Sequence, residues 1–377
     1  MLRQLSIPTI KDRAMQALWY AALTPIAEER PDPNAYGFRP KRSTHDAIEQ
    51  CFKMLAKRTS ATWILEGDIR ACFDQISHEW LLENIPMNKT VLRKFLKAGF
   101  MEDGKLHATD IGTPQGGIVS PTLAVLALSG LETKLVSTRK RQRDQDKIHM
   151  IAYADDFIVT AASEEILKEK VIPTLVKSLK TVGLELSKEK SKITKIEDGF
   201  NFLGFNVRKY SCGKLLIKHS KASVKSFIDD IKTIIKSSRA LPTEVMIRRL
   251  NSKITGWTNY YRGVVSSHVF SMIDSEVHSA LVRWCMKRHA RKGKTWIIQK
   301  YFTTVSNDNW RFYCIVKDKD GRKTPLYLKR AASTPIRRHI KIKAEANPFN
   351  PRFKEYFLER GKKKKAKLPR DRLVLPG

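Results

Sequence analysis

The stretch Ile151-Ala152-Tyr153-Ala154-Asp155-Asp156-Phe157-Ile158-Val159 decides the fold of this chain. Two apolar, β-prone halves flank a polar pair at the centre, and this pattern predicts a β-hairpin over residues 149–160. The apolar flanks also indicate that the pair is buried. Because a buried charge is costly unless it is compensated, the two aspartates require a physical reason for their position.

A third carboxylate stands out upstream of the hairpin. Asp68 closes a short β-rich segment over residues 62–69. Adjacent aspartates on a strand point to opposite faces, but at a tight turn they can converge with a third acid. Three packed acids repel one another unless a hard cation joins them, and Mg²⁺ prefers such oxygen ligands together with phosphates. Two ions of this kind would activate a 3′-hydroxyl and stabilise a leaving pyrophosphate.

A simpler interpretation of these acids has to be weighed. A single Asp at a strand end is ordinarily a turn or cap residue, and an Asp pair at a hairpin tip is ordinarily solvated. The apolar flanks of Asp155 and Asp156 favour a functional site. On these residues alone, both interpretations stay open.

The segments around the hairpin predict two kinds of architecture. Strands and helices alternate over roughly residues 1–215, which predicts an α+β sheet domain. Residues 133–147 are hydrophilic and basic and predict an exposed connection. Farther along, the apolar period changes to that of helices, and short strands follow them. The predicted helices cover residues 221–237, 243–261 and 266–291, and the strands lie within residues 310–330.

The charge of the chain points to a polyanionic partner. Among 377 residues, 71 Lys and Arg oppose 38 Asp and Glu, a formal net charge of +33. The last 127 residues hold 30 basic against 9 acidic side chains. Hydrophobic residues make up 42% of the chain, which excludes an intrinsically disordered protein. Nucleic acid is therefore the first candidate partner, and an anionic membrane surface is the rival.

The membrane alternative has little support in the sequence. No window approaches the roughly 18 uninterrupted apolar residues of a spanning helix, and the first residues contain no apolar stretch of signal-peptide length. The five cysteines are widely spaced, odd in number and never arranged as Cys-x-x-Cys. We therefore expect neither a disulfide framework nor a structural zinc site. The cysteine pattern fits a protein of a reducing compartment.

Six motifs in order resemble those of reverse transcriptases, and two of them, Gly37-Phe38-Arg39-Pro40 and Gly112-Thr113-Pro114-Gln115-Gly116-Gly117, resemble the variant in proteins encoded by group II introns. Gly256-Trp257-Thr258-Asn259-Tyr260-Tyr261 is similar to the maturase (thumb) region of that family. The six motifs, in chain order, are Tyr36-Gly37-Phe38-Arg39-Pro40-Lys41-Arg42-Ser43-Thr44, Asp68-Ile69-Arg70-Ala71-Cys72-Phe73-Asp74, Gly112-Thr113-Pro114-Gln115-Gly116-Gly117-Ile118-Val119-Ser120-Pro121, Tyr153-Ala154-Asp155-Asp156, Leu186-Ser187-Lys188-Glu189-Lys190-Ser191 and Phe202-Leu203-Gly204-Phe205.

The resemblance implies an α+β right-hand polymerase in which fingers and a palm with an antiparallel sheet precede an α-helical thumb. A small basic DNA-binding segment would follow the thumb. The implied domains are partial fingers and palm over residues 1–217, the thumb or maturase domain over 218–300, the DNA-binding segment over 301–361 and a basic tail over 362–377.

The resemblance also implies roles for single residues. Asp68, Asp155 and Asp156 would be catalytic and would hold two Mg²⁺ ions. Substrate-binding roles fall on an arginine for the triphosphate, an aromatic ring against the sugar, a nucleotide loop and a lysine near pyrophosphate: Arg3, Phe73, Gln115, Gly116 and Lys190. Outside the motifs, Phe73 would be an ordinary core residue, and Arg3 and Lys190 ordinary solvated cations.

The basic last third suggests how nucleic acid is held. Aromatic residues are interspersed there with Lys and Arg, so the cations would bind phosphates while the rings stack on unpaired bases. The alternative is that the aromatics are helix-bundle core, which is preferred for Trp257 and Trp284. The RNA- and DNA-binding candidates are therefore Arg283, Lys287, Arg288, Arg291, Lys292 and Lys294.

Relative to the family pattern, the chain begins late and lacks the paired Cys and His of an HNH nuclease after Cys314. We therefore expect no endonuclease activity, and weak or no primer extension by this chain alone.

Three functions compete. The first is an RNA-directed DNA polymerase and splicing maturase of a group II intron, the second a polymerase-deficient maturase that only assists splicing, and the third a membrane-surface protein. The expected partners are intron RNA, a DNA target and primer, and deoxynucleoside triphosphates, with no membrane; a homodimer is left open. The expected location is a bacterial cytoplasm, with an organelle left open.

Overall fold

A computed structural model describes residues 7–102, 104–114, 116–136, 140–306, 308–317 and 321–366. The chain divides into two compact units. The first unit contains Met1–Leu203, Val207–Leu215 and His339–Gly377, and the second contains Gly204–Asn206 and Leu216–Arg338. The predicted DNA-binding segment 301–361 is therefore shared between the two units at residue 338, and its role stays a prediction.

The first unit is a mixture of helices and mainly antiparallel strands, as the sequence predicts. Its strands are β1 (Trp63–Arg70), β2 (Phe100–Glu102), β3 (Lys105–His107), β4 (His149–Tyr153), β5 (Asp156–Ala161), β6 (Glu185–Leu186), β7 (Lys192–Lys195) and β8 (Phe200–Phe202). Its helices are α1 (Ile10–Ala27), α2 (Thr44–Leu55), α3 (Cys72–Gln75), α4 (His78–Asn84), α5 (Lys89–Leu96), α6 (Ser120–Ala127), α7 (Leu131–Leu135), α8 (Lys140–Asp146), α9 (Glu164–Ile166) and α10 (Ile172–Lys180), with α15 (Lys354–Ala366) near the end of the chain.

The central sheet of this unit has the order β4-β5-β1-β6, and β7 also pairs with β1. All of these pairings are antiparallel. Strands β1 and β5 are in register from Trp63 opposite Ala161 to Asp68 opposite Asp156. The hairpin predicted from the sequence is confirmed as β4 and β5, joined by Ala154 and Asp155.

The core of the unit lies against this sheet. Residues 157–161 of β5 are all buried, and so are Ile64 and Leu65 of β1, which shows that both faces of these strands are covered. The five-residue π-helical segment at Leu167–Val171 packs against β1 and β5, and α10 adds Leu175 and Leu179 to the same core. Apolar burial of this kind is the main stabilising contribution to the palm-like sheet.

The prediction of an exposed connection over residues 133–147 is confirmed for most of the part that the structure describes, since residues 133, 134 and 141–145 are exposed, but Leu135 and Asp146 are buried. Helices α7 and α8 occupy it, with residues 137–139 outside the described set. Asp146 is buried, accepts a hydrogen bond from Gln142 and pairs with Lys170. These contacts stabilise a segment whose hydrophilic composition alone suggests a solvated loop.

The second unit is mainly helical. Strands β9 (Phe205–Lys209) and β10 (Leu215–His219) precede its helices, and each contains residues of both units. The predicted helices are confirmed with small changes at their ends. They are α11 (Lys221–Ser237), α12 (Thr243–Tyr261) and α13 (Ser267–Arg288), followed by α14 (Lys294–Tyr301), β11 (Phe302–Val305), β12 (Asp308–Lys317) and β13 (Lys323–Tyr327).

Aromatic side chains fill the interior of this helical unit. Trp257 stacks on Phe227 and on His219, at centroid distances of 4.5 and 5.0 Å. Trp284 is 5% exposed. The preference for core roles at Trp257 and Trp284 is therefore confirmed. Within the described residues, no helix is both long enough and apolar enough to span a bilayer.

Candidate active site

The register of the central sheet brings three aspartates together. Asp68 lies directly opposite Asp156 in the β1–β5 pair. The carbonyl oxygen of Asp155 accepts a hydrogen bond from the Ile69 amide at 3.3 Å. The end of β1 and the tip of the β4–β5 hairpin therefore form one acidic site, built from residues about ninety positions apart in the chain.

The hairpin tip is held by the segment before α2. The Tyr36 amide donates to the Ala152 carbonyl at 2.8 Å, and the Ala152 amide donates to the Asn34 carbonyl at 3.0 Å. Ala154 has a φ of 59°, a left-handed conformation that is costly for a residue with a Cβ. A Cβ on Gly37 would lie 2.1 Å from the Ala154 nitrogen, so only glycine allows this approach.

Electrostatic repulsion within the acidic site is visible in one pKa. Burial, together with the negative charges of Asp155 and Asp68, raises the pKa of Asp156 to about 7. A hydrogen bond from the Leu203 backbone acts in the opposite direction. The protein therefore holds these carboxylates closer together than their charges favour.

The chemistry of the site suits a hard divalent cation. The donors are carboxylate oxygens, and a cation would relieve the repulsion that raises the pKa of Asp156. In the part of the chain that the structure describes, no three His, Cys, Asp or Glu side chains are spaced to hold one ion. The donor set fits a metal, but its side chains have not converged on a single point.

Lys190 is brought to this site, as its motif suggests. Its ammonium nitrogen lies 3.2 and 3.4 Å from the two carboxylate oxygens of Asp68. The Ser187 amide donates to the Asp68 carbonyl at 2.8 Å, which fixes the turn that carries Lys190. The lysine side chain is 61% exposed, so it is accessible to a substrate and contributes little to stability.

Phe73 and the nucleotide loop lie beside the acids. An apolar cavity is lined by Phe38, Phe73 and Asp155 together, and the two rings meet edge to face at 5.7 Å. The Thr113 amide donates to the Phe73 carbonyl at 2.6 Å, which anchors the loop. A Cβ on Gly112 would lie 2.5 Å from the Asp74 backbone, so this position also requires glycine.

Two predicted substrate residues, Arg3 and Gln115, lie outside the described residues. Gly116 is described and has a φ of 105°, a conformation that favours glycine. The structure therefore brings Phe73, Lys190 and the three aspartates together. The substrate-binding roles themselves stay predictions.

Sequence reasoning missed a buried cluster around Asp46. This carboxylate is fully buried and accepts hydrogen bonds from His339 at 2.8 Å, the Ile342 amide at 2.7 Å and Arg360 at 3.0 Å. Although burial acts to raise it, hydrogen bonds from His339, Ile342 and Ser43 lower the pKa of Asp46 to about 2. No local pattern signals such contacts, because the partners lie about three hundred residues apart.

The segment over residues 339–360 also contacts the motif over residues 36–44, which holds the hairpin tip. Arg42 donates to the Ala344 carbonyl at 2.7 Å, and Asn347 donates to Glu29 at 2.6 Å. Arg39 forms a buried bidentate pair with Glu28, with both distances 3.0 Å. Residues 339–360 therefore form part of the scaffold behind the acidic site.

The basic cluster of the second unit divides into two groups. Arg288 donates to the Leu241 carbonyl at 2.8 Å and packs on the Trp284 ring, and Lys292 lies 5.5 Å from the Trp296 ring centroid. Arg288 is half-buried and takes part in internal contacts, whereas Lys292 is exposed. The exposed side chains suited to phosphate contact are therefore Arg283, Lys287, Arg291, Lys292 and Lys294.

Comparison with protein families gives two matches. Residues 1–207 match the model of the reverse transcriptase (RNA-dependent DNA polymerase) family. Residues 224–302 match the model of the group II intron, maturase-specific domain. The first match alone covers more than half of the chain.

Individual relatives agree with these matches. The chain is 33% identical over 248 residues to "Protein YkfC" of Escherichia coli (strain K12), covering 56% of this chain and 64% of that one. It is 28% identical over 353 residues to "Group II intron-encoded protein LtrA" of Lactococcus lactis subsp. cremoris, covering 69% and 58%. The chain thus spans about six tenths of the length of these two relatives.

Among solved structures, the chain resembles apo telomerase from Candida tropicalis at 13% identity and a TM-score of 0.41. The match covers 76% of this chain and 50% of that one. This likeness is too low to support an argument about function.

Proposed function

Because the chain belongs to the reverse transcriptase family and carries a group II intron maturase-specific domain, we propose that it is an RNA-directed DNA polymerase and splicing maturase. The observation that carries the proposal is the register that sets Asp68 opposite Asp156, beside Asp155. These are the carboxylates expected for nucleotidyl transfer. The first unit would supply the chemistry, and the second would bind nucleic acid.

Asp68, Asp155 and Asp156 would hold two Mg²⁺ ions. When bound, such ions activate the 3′-hydroxyl of a primer and stabilise the charge of the leaving pyrophosphate. Asp156 must lose its proton before it can act as a ligand, and its pKa is about 7. Metal affinity should therefore rise with pH through neutrality.

Lys190 and Phe73 would act on the nucleotide. Lys190 stands beside Asp68 with an exposed ammonium group, placed to contact the pyrophosphate or to donate a proton to it. Phe73 shares a cavity with Asp155, so its ring would press on the sugar and reject a 2′-hydroxyl. Arg3, Gln115 and Gly116 would contact the triphosphate, the nucleotide and the templating base.

The exposed cations would bind the phosphates of intron RNA, DNA target and primer, namely Arg283, Lys287, Arg291, Lys292 and Lys294. Phosphate binding that displaces counterions weakens steeply as salt rises. A flat response between low and physiological ionic strength would contradict this assignment. A bacterial cytoplasm, where the intron RNA is made, is the proposed location.

A polymerase-deficient maturase is the second candidate. It is favoured by one observation, that residues 224–302 match the group II intron, maturase-specific domain and contain none of the three aspartates of the acidic site. In that case the chain would bind intron RNA and assist its splicing without copying it. The two candidates make opposite predictions about DNA synthesis.

Primer extension on an RNA template with Mg²⁺ separates them. The polymerase proposal requires that the wild-type chain extends the primer, even if weakly as its sequence suggests, and that the variant Asp155→Ala, Asp156→Ala shows no extension above background. The matched control is Asp198→Asn, an exposed aspartate in a turn of the same unit. If the wild type promotes intron splicing but equals the double variant in extension, the second candidate is correct.

A further inference from the structure

An unusual backbone conformation holds one tryptophan of the second unit outward. Strands β11 and β12 pair at Val305 opposite Asp308 and at Thr303 opposite Arg311, with a shift of register between them. Trp310 lies in this bulge with a φ of 65°. Its side chain is 54% exposed. A left-handed conformation costs a bulky residue about 1–2 kcal/mol, so the rest of the fold must impose it.

The bulge is fixed by ion pairs on both sides of the tryptophan. Asp308 pairs with Arg311 at 3.0 Å and with Arg330 at 2.7 Å. Arg330 also donates to the Asn309 carbonyl at 3.1 Å, and Arg311 donates to the Leu328 carbonyl at 3.0 Å. Bulges redirect side chains, and this one directs an indole away from the core.

The tryptophan borders a groove of about 870 Å³ that lies within the second unit. Helix α13 contributes Ser271, Ser275 and Arg283 to one wall, and Lys294 and Arg330 lie on others. The one acid in the lining, Asp274, is engaged by the amides of residues 331 and 332 at 2.7 and 2.9 Å. The groove is therefore cationic and hydroxyl-rich, with an aromatic ring at its edge.

We propose that this groove binds a single-stranded segment of polynucleotide, with one unpaired base stacked on Trp310 and adjacent phosphates on Arg283 and Lys294. The inference rests on the proposed nucleic-acid binding of the second unit and adds a defined site to it. Every base offers a flat π-face, so an exposed indole beside cations suits a single strand of any sequence. The basic lining favours a polyanion over a protein segment or a second copy of the chain.

The test compares Trp310→Ala and Trp310→Phe with Ile315→Ala in the full chain. Ile315 is the matched control because it lies on the same strand and is 55% exposed, but does not line the groove. The probes are a fluorescein-labelled twelve-residue oligouridylate, the matching oligodeoxythymidylate and an RNA duplex. Stacking of one base contributes about 1–3 kcal/mol, so Trp310→Ala should weaken single-strand binding by roughly 5- to 150-fold.

Four further results are expected. Trp310→Phe should restore most of the affinity of the wild type for single strands. Duplex binding should be unchanged in Trp310→Ala, Trp310→Phe and Ile315→Ala. The logarithm of the binding constant should fall with the logarithm of the salt concentration equally steeply for Trp310→Ala and the wild type. Arg283→Gln and Lys294→Gln should each lower the magnitude of that slope by about one. An oligonucleotide carrying 4-thiouridine should crosslink within residues 308–311 on irradiation.

The inference is overturned if Trp310→Ala binds both single strands as the wild type does. It is also overturned if that variant loses duplex binding equally, or if it changes self-association alone. Weakening on one or both single strands supports it and identifies RNA, DNA or either as the ligand. A wild-type chain that binds no probe would instead refute the nucleic-acid role of the whole unit.

Discussion

Replacing Asp156 by asparagine should stabilise the first unit while removing the proposed polymerase activity. The side chain lies directly opposite Asp68 and beside Asp155, and its pKa of about 7 compares with a usual value of 3.8. Asparagine keeps the shape of the side chain and removes the charge. The variant therefore isolates the electrostatic cost that the acidic site imposes on folding.

The magnitude follows from linkage between protonation and folding. A carboxyl whose pKa is raised by folding costs no stability below its unfolded pKa, and the full cost appears above its folded pKa. With 1.36 kcal/mol for each pH unit, the full cost at pH 8 is about 4 kcal/mol, and about half of it remains at pH 5.5. We expect Asp156→Asn to raise the free energy of unfolding of the first unit by about 2–4 kcal/mol at pH 8. At pH 5.5 the gain should be about 2 kcal/mol smaller.

Amide hydrogen exchange of β1 and β5 is the suitable assay, because a chain with two units need not unfold in one step. Exchange would be measured at both pH values in EDTA, corrected for intrinsic rates, with Asp198→Asn as the control. Equal protection of variant and wild type at pH 8 would refute the repulsion argument. An increase in protection of the same size at pH 5.5 and pH 8 would refute it as well, because the repulsion depends on pH.

Three other predictions concern the scaffold and the nucleotide pocket. Gly37→Ala should destabilise the first unit by about 2 kcal/mol or more and slow primer extension at least tenfold, because its Cβ would lie 2.1 Å from the Ala154 nitrogen. Denaturation curves test the loss of stability, and steady-state rates test the loss of primer extension. Asp46→Ala should lower the free energy of unfolding of the first unit by about 3–5 kcal/mol, because it leaves Arg360 buried without its carboxylate partner. Limited proteolysis should then cleave within residues 339–360, and unchanged resistance to the protease would contradict this prediction. Phe73→Ala should raise ribonucleotide incorporation relative to deoxyribonucleotide, read from the two kcat/KM values, and an unchanged ratio would exclude its role against the sugar.

Much of the secondary structure and the outline of the site could be predicted from local sequence. The apolar halves around Asp155 and Asp156 specify a hairpin, and the helices α11 to α13 follow their apolar period closely. Such patterns work because side-chain spacing along a strand or helix determines which face is buried. The stretch over residues 133–147 shows the limit, since it is mostly exposed as its composition predicts, but nothing in its pattern predicts that Asp146 is buried and paired with Lys170.

The partners of these elements were decided only by the tertiary structure. Asp68 meets Asp156 through strand register, and Asp46 meets Arg360 across more than three hundred residues. Trp310 turns outward in a bulge that the ion pairs of Asp308 stabilise. None of these contacts has a periodic signature, because they depend on how separate elements pack. The sequence thus determined which residues carry charge and chemistry, and packing determined which of them meet. That division follows from the range of the forces involved: backbone preferences act within a few residues, whereas burial and ion pairing act between whatever the fold brings together.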